Sequence, residues 1–129
     1  MKYILDTSAY SGFNRGDERL RAWVSPEHTI VIPLIVIGEL RCGFACGNQR
    51  AANEKLLQRF LDAPNVQVVD LTLTTTNHFA EIYLQLRKSG KPIGTNDIWI
   101  TALCQQHNLP LLTLDSDFSN IPTLKTLPL

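Results

Sequence analysis

The sequence predicts an α/β domain in which a mostly parallel sheet of four to five strands is covered by helices on both faces. Short β-branched runs alternate along the chain with segments whose apolar residues recur at helical spacing. Parallel strands need such crossover helices, which then cover both faces of the sheet. The chain has 129 residues, of which 44% are hydrophobic. We therefore expect residues 1–129 to fold as a single domain around one core.

Four short apolar runs are the predicted strands. They lie at residues 3–5, 29–32, 66–69 and 111–114. A weaker fifth candidate lies at 124–127.

Three helices are predicted in the first half of the chain. Asp17 can cap a short helix, since its side chain can accept from a free backbone N–H. A second helix begins at Pro33, where the missing N–H of proline costs nothing, and ends near Gly47. Asn48 is the expected cap of a third helix. The apolar stripe of this third helix comprises Ala52, Leu56 and Phe60.

Two longer helices are predicted in the second half. One begins at Thr72 and ends at Gly90, a residue that readily takes the left-handed conformation. Its apolar stripe comprises Phe79, Ile82 and Leu86. The other helix begins at Thr95 or Asn96 and ends near Asn108.

The charges of the chain cancel, with twelve basic and twelve acidic residues. This balance argues against a protein that coats nucleic acid through bulk positive charge, but it leaves room for a local basic rim. The candidate contacts to phosphate are Arg15, Arg41, Arg50, Arg87, Lys88 and Lys91. Ordinary surface charge explains most of them equally well.

The chain shows no export signal and no apolar stretch long enough to span a bilayer. We therefore expect a cytoplasmic protein without a membrane partner, and reduced thiols in its three cysteines. Cys42 and Cys46 are four residues apart, but no second Cys or His pair completes a zinc site. Small buried thiols are the expected state of these two cysteines.

Carboxylates follow the first and fourth predicted strands. Asp6 comes directly after the first, and Asp115 and Asp117 follow the fourth. In open parallel sheets, ligands bind beyond the carboxyl ends of the strands. Each residue also has an ordinary explanation, because Asp6 could cap the next helix and the other two could belong to a solvated turn.

Two further carboxylates stand in apolar helical segments. Glu39 is the only charged residue of 31–40, and an ionised group on an apolar face is costly unless it is paired or bound to a metal. A salt bridge to Arg41 or Arg50 is the alternative explanation. Asp97 opens the last helix, where the dipole favours it, and the apolar turn that follows indicates partial burial.

Taken together, the carboxylates indicate an acidic cluster at one end of the sheet. Carboxylates held close together repel one another, and divalent cations relieve that repulsion. Oxygen-only ligands favour hard cations such as Mg²⁺ or Mn²⁺.

The sequence resembles the PIN domain family, and within it the VapC-type toxins of toxin–antitoxin pairs. Four motifs carry the resemblance in order over essentially the whole chain. They are Tyr-Ile-Leu-Asp-Thr-Ser at 3–8, Pro33 with Gly-Glu-Leu at 38–40 and Gly43, Asn-Asp-Ile at 96–98, and Leu-Thr-Leu-Asp-Ser-Asp-Phe at 112–118. The resemblance implies a three-layer α/β/α fold.

The resemblance also implies which residues form the site. The metal-binding and catalytic quartet would be Asp6, Glu39, Asp97 and Asp115. Asp117 would assist as a further metal ligand. The polar neighbours that would position carboxylates or water are Thr7, Ser8 and Thr113.

The activity implied is Mg²⁺- or Mn²⁺-dependent hydrolysis of RNA phosphodiester bonds by an activated water. The partner implied is a cognate VapB-like antitoxin whose extended C-terminal segment wraps the toxin. An Arg or Lys of that segment would enter the acidic pocket, and the rest would cover apolar surface on the two helices between Pro33 and Leu61. A homodimer is also expected, and it could use the same apolar surface.

Two alternatives stay open. A phosphoacceptor receiver domain has similar length and architecture, and Asp70, Thr113 and Lys125 stand at matching places. It would lack the acidic pair expected at the first strand, and it would leave the other carboxylates unexplained. The second alternative is a catalytically silent PIN fold that only binds RNA or protein, which a complete quartet disfavours.

Overall fold

A four-stranded parallel sheet forms the centre of the protein, described for all 129 residues by a computed structural model. The strands are β1 (Lys2–Leu5), β2 (Thr29–Pro33), β3 (Val66–Val69) and β4 (Leu111–Leu112), in the order β3-β2-β1-β4. Every neighbouring pair is parallel.

Six α-helices connect and flank the strands. They are α1 (Thr7–Asn14), α2 (Glu18–Arg21), α3 (Leu34–Cys46), α4 (Arg50–Asp62), α5 (Leu73–Ser89) and α6 (Thr95–His107). A 3-10 helix follows at Ser116–Asn120. None of the helices is both long and apolar enough to cross a bilayer. The α/β fold class expected from the sequence is confirmed.

Strand β1 and helix α6 lie at the middle of the core. Tyr3, Ile4 and Leu5 are completely buried, because β1 lies between two other strands and both of its faces are covered. Helix α6 is buried along nearly its whole length from Ile98 to Cys104. The buried apolar residues form one connected core.

Several predicted helix ends are confirmed by their local hydrogen bonds. The Asp17 side chain accepts from the Arg19 N–H at the start of α2. Thr72 precedes α5 and forms a capping box with Thr75. Gly90 ends α5 with φ = 67°, a conformation that costs glycine little.

Strand β4 is shorter than predicted, and the fifth strand does not form. Thr113 and Leu114 leave the ladder because their polar groups turn toward Asp6 and Ser8 instead. Thr126 contributes only an isolated bridge to Leu111. The segment around Thr126 is framed by two prolines, which cannot donate to a ladder.

The predicted apolar stripe of α4 was wrong. Leu57 is completely buried, whereas Leu56 is 44% exposed and Ala52 is exposed. The buried face runs through Leu57, Phe60 and Leu61, an i, i+3, i+4 set that packs more apolar area than the predicted one. The expected cap was also wrong, because α4 begins after Gln49 without a side-chain cap.

The predicted burial of Cys42 and Cys46 was wrong as well. Both are exposed free thiols, and Cys104 is the buried one. Helix α3 buries only Val36, Ile37 and Leu40, so its last turns project away from the core. No group of three or more metal-ligating side chains surrounds the two exposed thiols.

Candidate metal-binding acidic site

Asp6 is a buried carboxylate anchored at the carboxyl end of β1. Its side chain caps α1, because Oδ1 accepts from the Ala9 N–H at 2.9 Å. The Ser8 hydroxyl donates to Oδ1 at 2.8 Å, and the Thr113 hydroxyl donates to Oδ2 at 2.5 Å. Burial raises the pKa of Asp6 although these hydrogen bonds lower it. Asp6 therefore caps α1, as one of the two explanations predicted, and the cap fixes its carboxylate at the edge of the sheet.

Glu39 faces the same end of the sheet from α3. Its Oε1 accepts from the Thr7 hydroxyl at 2.7 Å, which links α3 to the start of α1. The alternative salt bridge to Arg41 is absent, because the Arg41 Nε contacts Glu54 at 3.2 Å. Residues two apart on a helix point in different directions, so Arg41 cannot easily follow Glu39 into the site.

Asp97 lies among the other four carboxylates. It occupies the first turn of α6, and its side chain is partly buried, as predicted. Burial raises its pKa to about 6, and the next contributions come from the negative charges of Asp115, Glu39, Asp6 and Asp117. Five carboxylates from four separate segments therefore act on one another at this position. None of them takes part in any of the protein's ion pairs.

Thr113 and Ser8 join the two strand ends that carry the carboxylates. Besides donating to Asp6, the Thr113 Oγ1 accepts from the Asp115 N–H at 2.9 Å. The Ser8 Oγ accepts from the Leu114 N–H at 2.9 Å. Thus the turn after β1 and the segment after β4 are held together by side-chain hydroxyls, which places Asp115 close to Asp6.

Asp115 and Asp117 also have the ordinary role expected of a turn. The Asp115 Oδ1 accepts from the Asp117 N–H at 2.9 Å and so caps the 3-10 helix. Asp117 is exposed, and it lies at the rim of the site.

Sequence analysis missed the role of Gly12 in this assembly. Gly12 is buried in α1, and a Cβ there would overlap the Leu114 Cδ1 atom. A side chain at this position would therefore require the Leu114 side chain to move. A glycine inside a helix is the signal that could have indicated such a close approach.

The oxygen atoms of the carboxylates suit a hard divalent cation chemically, although the side chains do not lie close enough together to act as its ligands. No three His, Cys, Asp or Glu side chains stand close enough to share an ion as they are arranged. However, all donors of the cluster are oxygens, which suits Mg²⁺ or Mn²⁺. Burial and, next, the repulsion from the other carboxylates raise the pKa of Asp97, and a bound cation would relieve that repulsion.

The fold and the site together define an α/β protein with an acidic site beyond the carboxyl ends of β1 and β4. A model of the PIN domain family matches residues 3–124. The chain therefore belongs to the PIN domain family, as its four motifs indicated.

Named relatives and a solved structure are similar to most of the chain. Ribonuclease VapC2 of Rickettsia felis is 28% identical over 102 residues, which cover 78% of this chain and 75% of the relative. Ribonuclease VapC5 of Mycobacterium tuberculosis is 28% identical over 119 residues, which cover 90% and 84%. The crystal structure of VapBC2 from Rickettsia felis, bound to a DNA fragment from its promoter, matches with a TM-score of 0.84 and 26% identity over 98% of each chain.

These comparisons support a PIN-domain ribonuclease of the VapC type, and nothing among them supports a receiver domain. The order of the strands in the sheet also argues against a receiver domain. A receiver-like sheet has the order 2-1-3-4-5, whereas β3 here is an edge strand separated from β1 by β2. Asp70, which follows β3, is therefore remote from Asp6 in the sheet order.

Proposed function

We propose that residues 1–129 form a single PIN domain that hydrolyses RNA phosphodiester bonds with Mg²⁺ or Mn²⁺, as the toxin of a VapBC-type pair. The observation that carries the proposal is the position of Asp97 among four other carboxylates with no cation to neutralise them. Such an arrangement is costly for a protein that does not use it. A toxin acting on cellular RNA would work in the cytoplasm.

Asp6, Glu39, Asp97 and Asp115 would hold the metal, with Asp117 assisting from the rim. The bound ion would supply Lewis acidity toward the scissile phosphate and toward a water nucleophile. Burial and the neighbouring negative charges raise the pKa of Asp97 to about 6, which suits this carboxyl to take up the proton that hydrolysis releases. Thr7, Ser8 and Thr113 would orient the carboxylates through the hydrogen bonds described above.

Conservative substitutions test this assignment. Asp6→Asn, Glu39→Gln, Asp97→Asn and Asp115→Asn nearly preserve size and remove charge, so each should abolish metal-dependent RNA cleavage and leave the circular dichroism spectrum unchanged. Glu27→Gln is the matched control, because this glutamate is exposed and makes no hydrogen bond or ion pair. Cleavage at the wild-type rate by any quartet variant would remove that residue from the site.

Metal binding can be measured separately from cleavage. Mg²⁺ or Mn²⁺ should raise the melting temperature, because a ligand that binds only the folded state stabilises it. Asp97→Asn should lose most of this response. A folded wild-type chain that binds metal and RNA but cleaves nothing would instead support the silent PIN fold.

The proposed partner is a VapB-like antitoxin whose Arg or Lys enters the acidic site. The site offers five carboxylates without a counter-ion, and an Arg could pair with two of their oxygens at once. Leu34 at the start of α3 and Leu56 on α4 are 47% and 44% exposed, and an antitoxin segment would cover them. Expression of this chain alone should arrest growth, Asp6→Asn should not, and the adjacent small gene should rescue. Arrest by Asp6→Asn would contradict RNA cleavage at this site as the cause, and harmless expression of a folded wild-type chain that also fails to cleave RNA would contradict the toxin role.

A homodimer is the competing use of the same apolar surface. Sedimentation of the purified chain should give the mass of two copies if Leu34 and Leu56 pair across a two-fold axis. Leu56→Glu should then give a monomer.

A further inference from the structure

A cavity of about 250 Å³ lies between α5 and the segment that leads into α6. Its walls include Tyr83 and Arg87 of α5, Pro92 and Ile93 of the connecting segment, and Ile98 of α6. Pockets for drug-sized ligands measure about 300–1,000 Å³, so this cavity suits a smaller group. The walls are mostly aliphatic, with one aromatic ring and one guanidinium. Such a cavity suits a flat ring that carries hydrogen-bonding groups at its edge.

Tyr83 forms a fixed aromatic surface at the mouth of the cavity. Its ring is stacked on Phe79, with centroids 6.4 Å apart and planes inclined by 13°, and Phe79 packs on Trp99 at 4.0 Å. These contacts hold the Tyr83 ring in place, yet the residue is 52% exposed. An ordered and exposed aromatic ring is the feature on which unpaired nucleobases stack in RNA-binding proteins.

Three basic side chains lie within five residues of one another beside this surface. Arg87 lines the cavity itself, and Lys88 and Lys91 line the depression on the other side of Leu86. None of the three takes part in an ion pair. The chain as a whole is neutral, so this free positive charge is local, and it suits the phosphates of a nucleic acid.

The cavity and the acidic site share one stretch of chain. Ile98, in the cavity wall, follows Asp97 directly. Ile93, also in the wall, precedes Gly94, where a Cβ would lie 3.8 Å from Asp97 Oδ2. A nucleotide in the cavity would therefore contact the same stretch of chain, residues 93–98, that carries Asp97.

We propose that this cavity, called here the base cavity, binds one unpaired nucleobase of the RNA substrate next to the bond that is cut. The base stacks on Tyr83, while Arg87, Lys88 and Lys91 contact neighbouring phosphates. The inference rests on the proposed ribonuclease function, and it narrows the substrate to RNA that presents a single-stranded base. Bases stacked within a duplex cannot enter such a cavity.

Binding of a fluorescent single-stranded RNA oligonucleotide by the Asp6→Asn protein tests this inference without cleavage. Tyr83→Ala should weaken binding about tenfold, whereas Tyr83→Phe, which keeps the stacking ring, should bind within about twofold of the parent. Leu84→Ala is the matched control, since Leu84 is the next residue of α5, is 44% exposed and does not line the cavity. Arg87→Gln should weaken binding and lower its dependence on salt. Melting temperatures check that each variant is folded.

The possible outcomes separate the base cavity from the proposed function. If the wild-type chain cleaves RNA and Tyr83→Ala binds and cleaves equally well, the base cavity is refuted and the ribonuclease stands. If the chain cleaves nothing but its RNA binding depends on Tyr83, the ribonuclease is refuted and the cavity stands. If Tyr83→Ala converts a sedimenting dimer to a monomer without weakening RNA binding, this surface joins two copies of the chain and the inference is overturned.

Discussion

Replacing Asp97 by asparagine should stabilise the metal-free protein at neutral pH. The pKa of Asp97 is raised from 3.8 to about 6 by burial and by the surrounding negative charges. The folded state therefore holds this proton more tightly than the unfolded chain does, and ionisation of Asp97 costs folding free energy. Below about pH 4 the carboxyl is protonated in both states and the cost is absent. The cost develops as the pH rises from about 4 to about 6, and it is complete above that range.

The size of the effect follows from the position of the side chain. A rise in pKa from 3.8 to about 6 corresponds to about 3 kcal/mol when a carboxyl is fully shielded from solvent. Asp97 is only partly buried, so screening reduces the figure to about 1–2 kcal/mol. The helix dipole at the first turn of α6 also stabilises the ionised form by about 0.3–1 kcal/mol, and asparagine lacks this stabilisation. We therefore expect a net gain of about 1 kcal/mol above about pH 7 and none near about pH 4.

Urea unfolding in the presence of a chelator measures this difference. With a denaturant slope of about 2 kcal/mol/M, the midpoint of Asp97→Asn should rise by about 0.5 M at about pH 7.5, and this rise should shrink toward zero as the pH is lowered to about 4. Glu27→Gln should leave the midpoint unchanged at both values. An equal gain at both pH values, or a loss at the higher one, would refute the argument that charge and burial destabilise ionised Asp97. Added Mg²⁺ should make the wild type more stable than Asp97→Asn, because the ion stabilises the wild type more.

Four further substitutions test the hydrogen bonds and packing of the fold. Thr113→Val removes the hydroxyl that bonds both Asp6 and the Asp115 N–H, so it should cost about 1–3 kcal/mol in urea unfolding and slow RNA cleavage at least about tenfold. Leu57→Ala should cost about 2–5 kcal/mol and Leu56→Ala less than about 1 kcal/mol; equal costs would contradict the observed orientation of α4. Gly90→Ala should lower stability by about 1 kcal/mol because φ is 67° there, and an unchanged melting temperature would count against a left-handed helix end.

The position of the acidic cluster could be predicted because the carboxyl ends of parallel strands meet at one edge of a sheet. Asp6 and Asp115 follow β1 and β4, which are neighbours in the sheet. Asp97 was identifiable from its place in the first turn of α6, and Glu39 from the lack of other charge around it. Of the hydroxyls that bond these carboxylates, only Ser8 stands beside its partner in the sequence, whereas Thr7 bonds Glu39 and Thr113 bonds Asp6 across long stretches of chain.

The features that could not be predicted depend on tertiary packing. The apolar residues of α4 allow two stripes that share Phe60, and only the packing of the folded protein shows that Leu57 rather than Leu56 faces inward. Cys42 and Cys46 continue an apolar helix pattern, but nothing local says that α3 runs past the end of the core. The end of β4 depends on hydrogen bonds to residues more than a hundred positions earlier.

Asp6 can be both a helix cap and a residue of the proposed site because its two oxygens have different partners. Oδ1 accepts from Ala9 and Ser8, while Oδ2 accepts from Thr113 and, at 3.0 Å, from Ser8. Because the Ser8 hydroxyl has a single proton, three donors occupy the carboxylate, and about one of its roughly four lone-pair positions stays open for a further partner. Asp97, by contrast, accepts no hydrogen bond through its side chain, and Glu39 accepts one, from Thr7. The cluster thus combines one carboxylate that is fixed by its hydrogen bonds with one, Asp97, whose two oxygens accept none, and we propose that Asp6 sets the position of the ion while Asp97 contributes free oxygens to it.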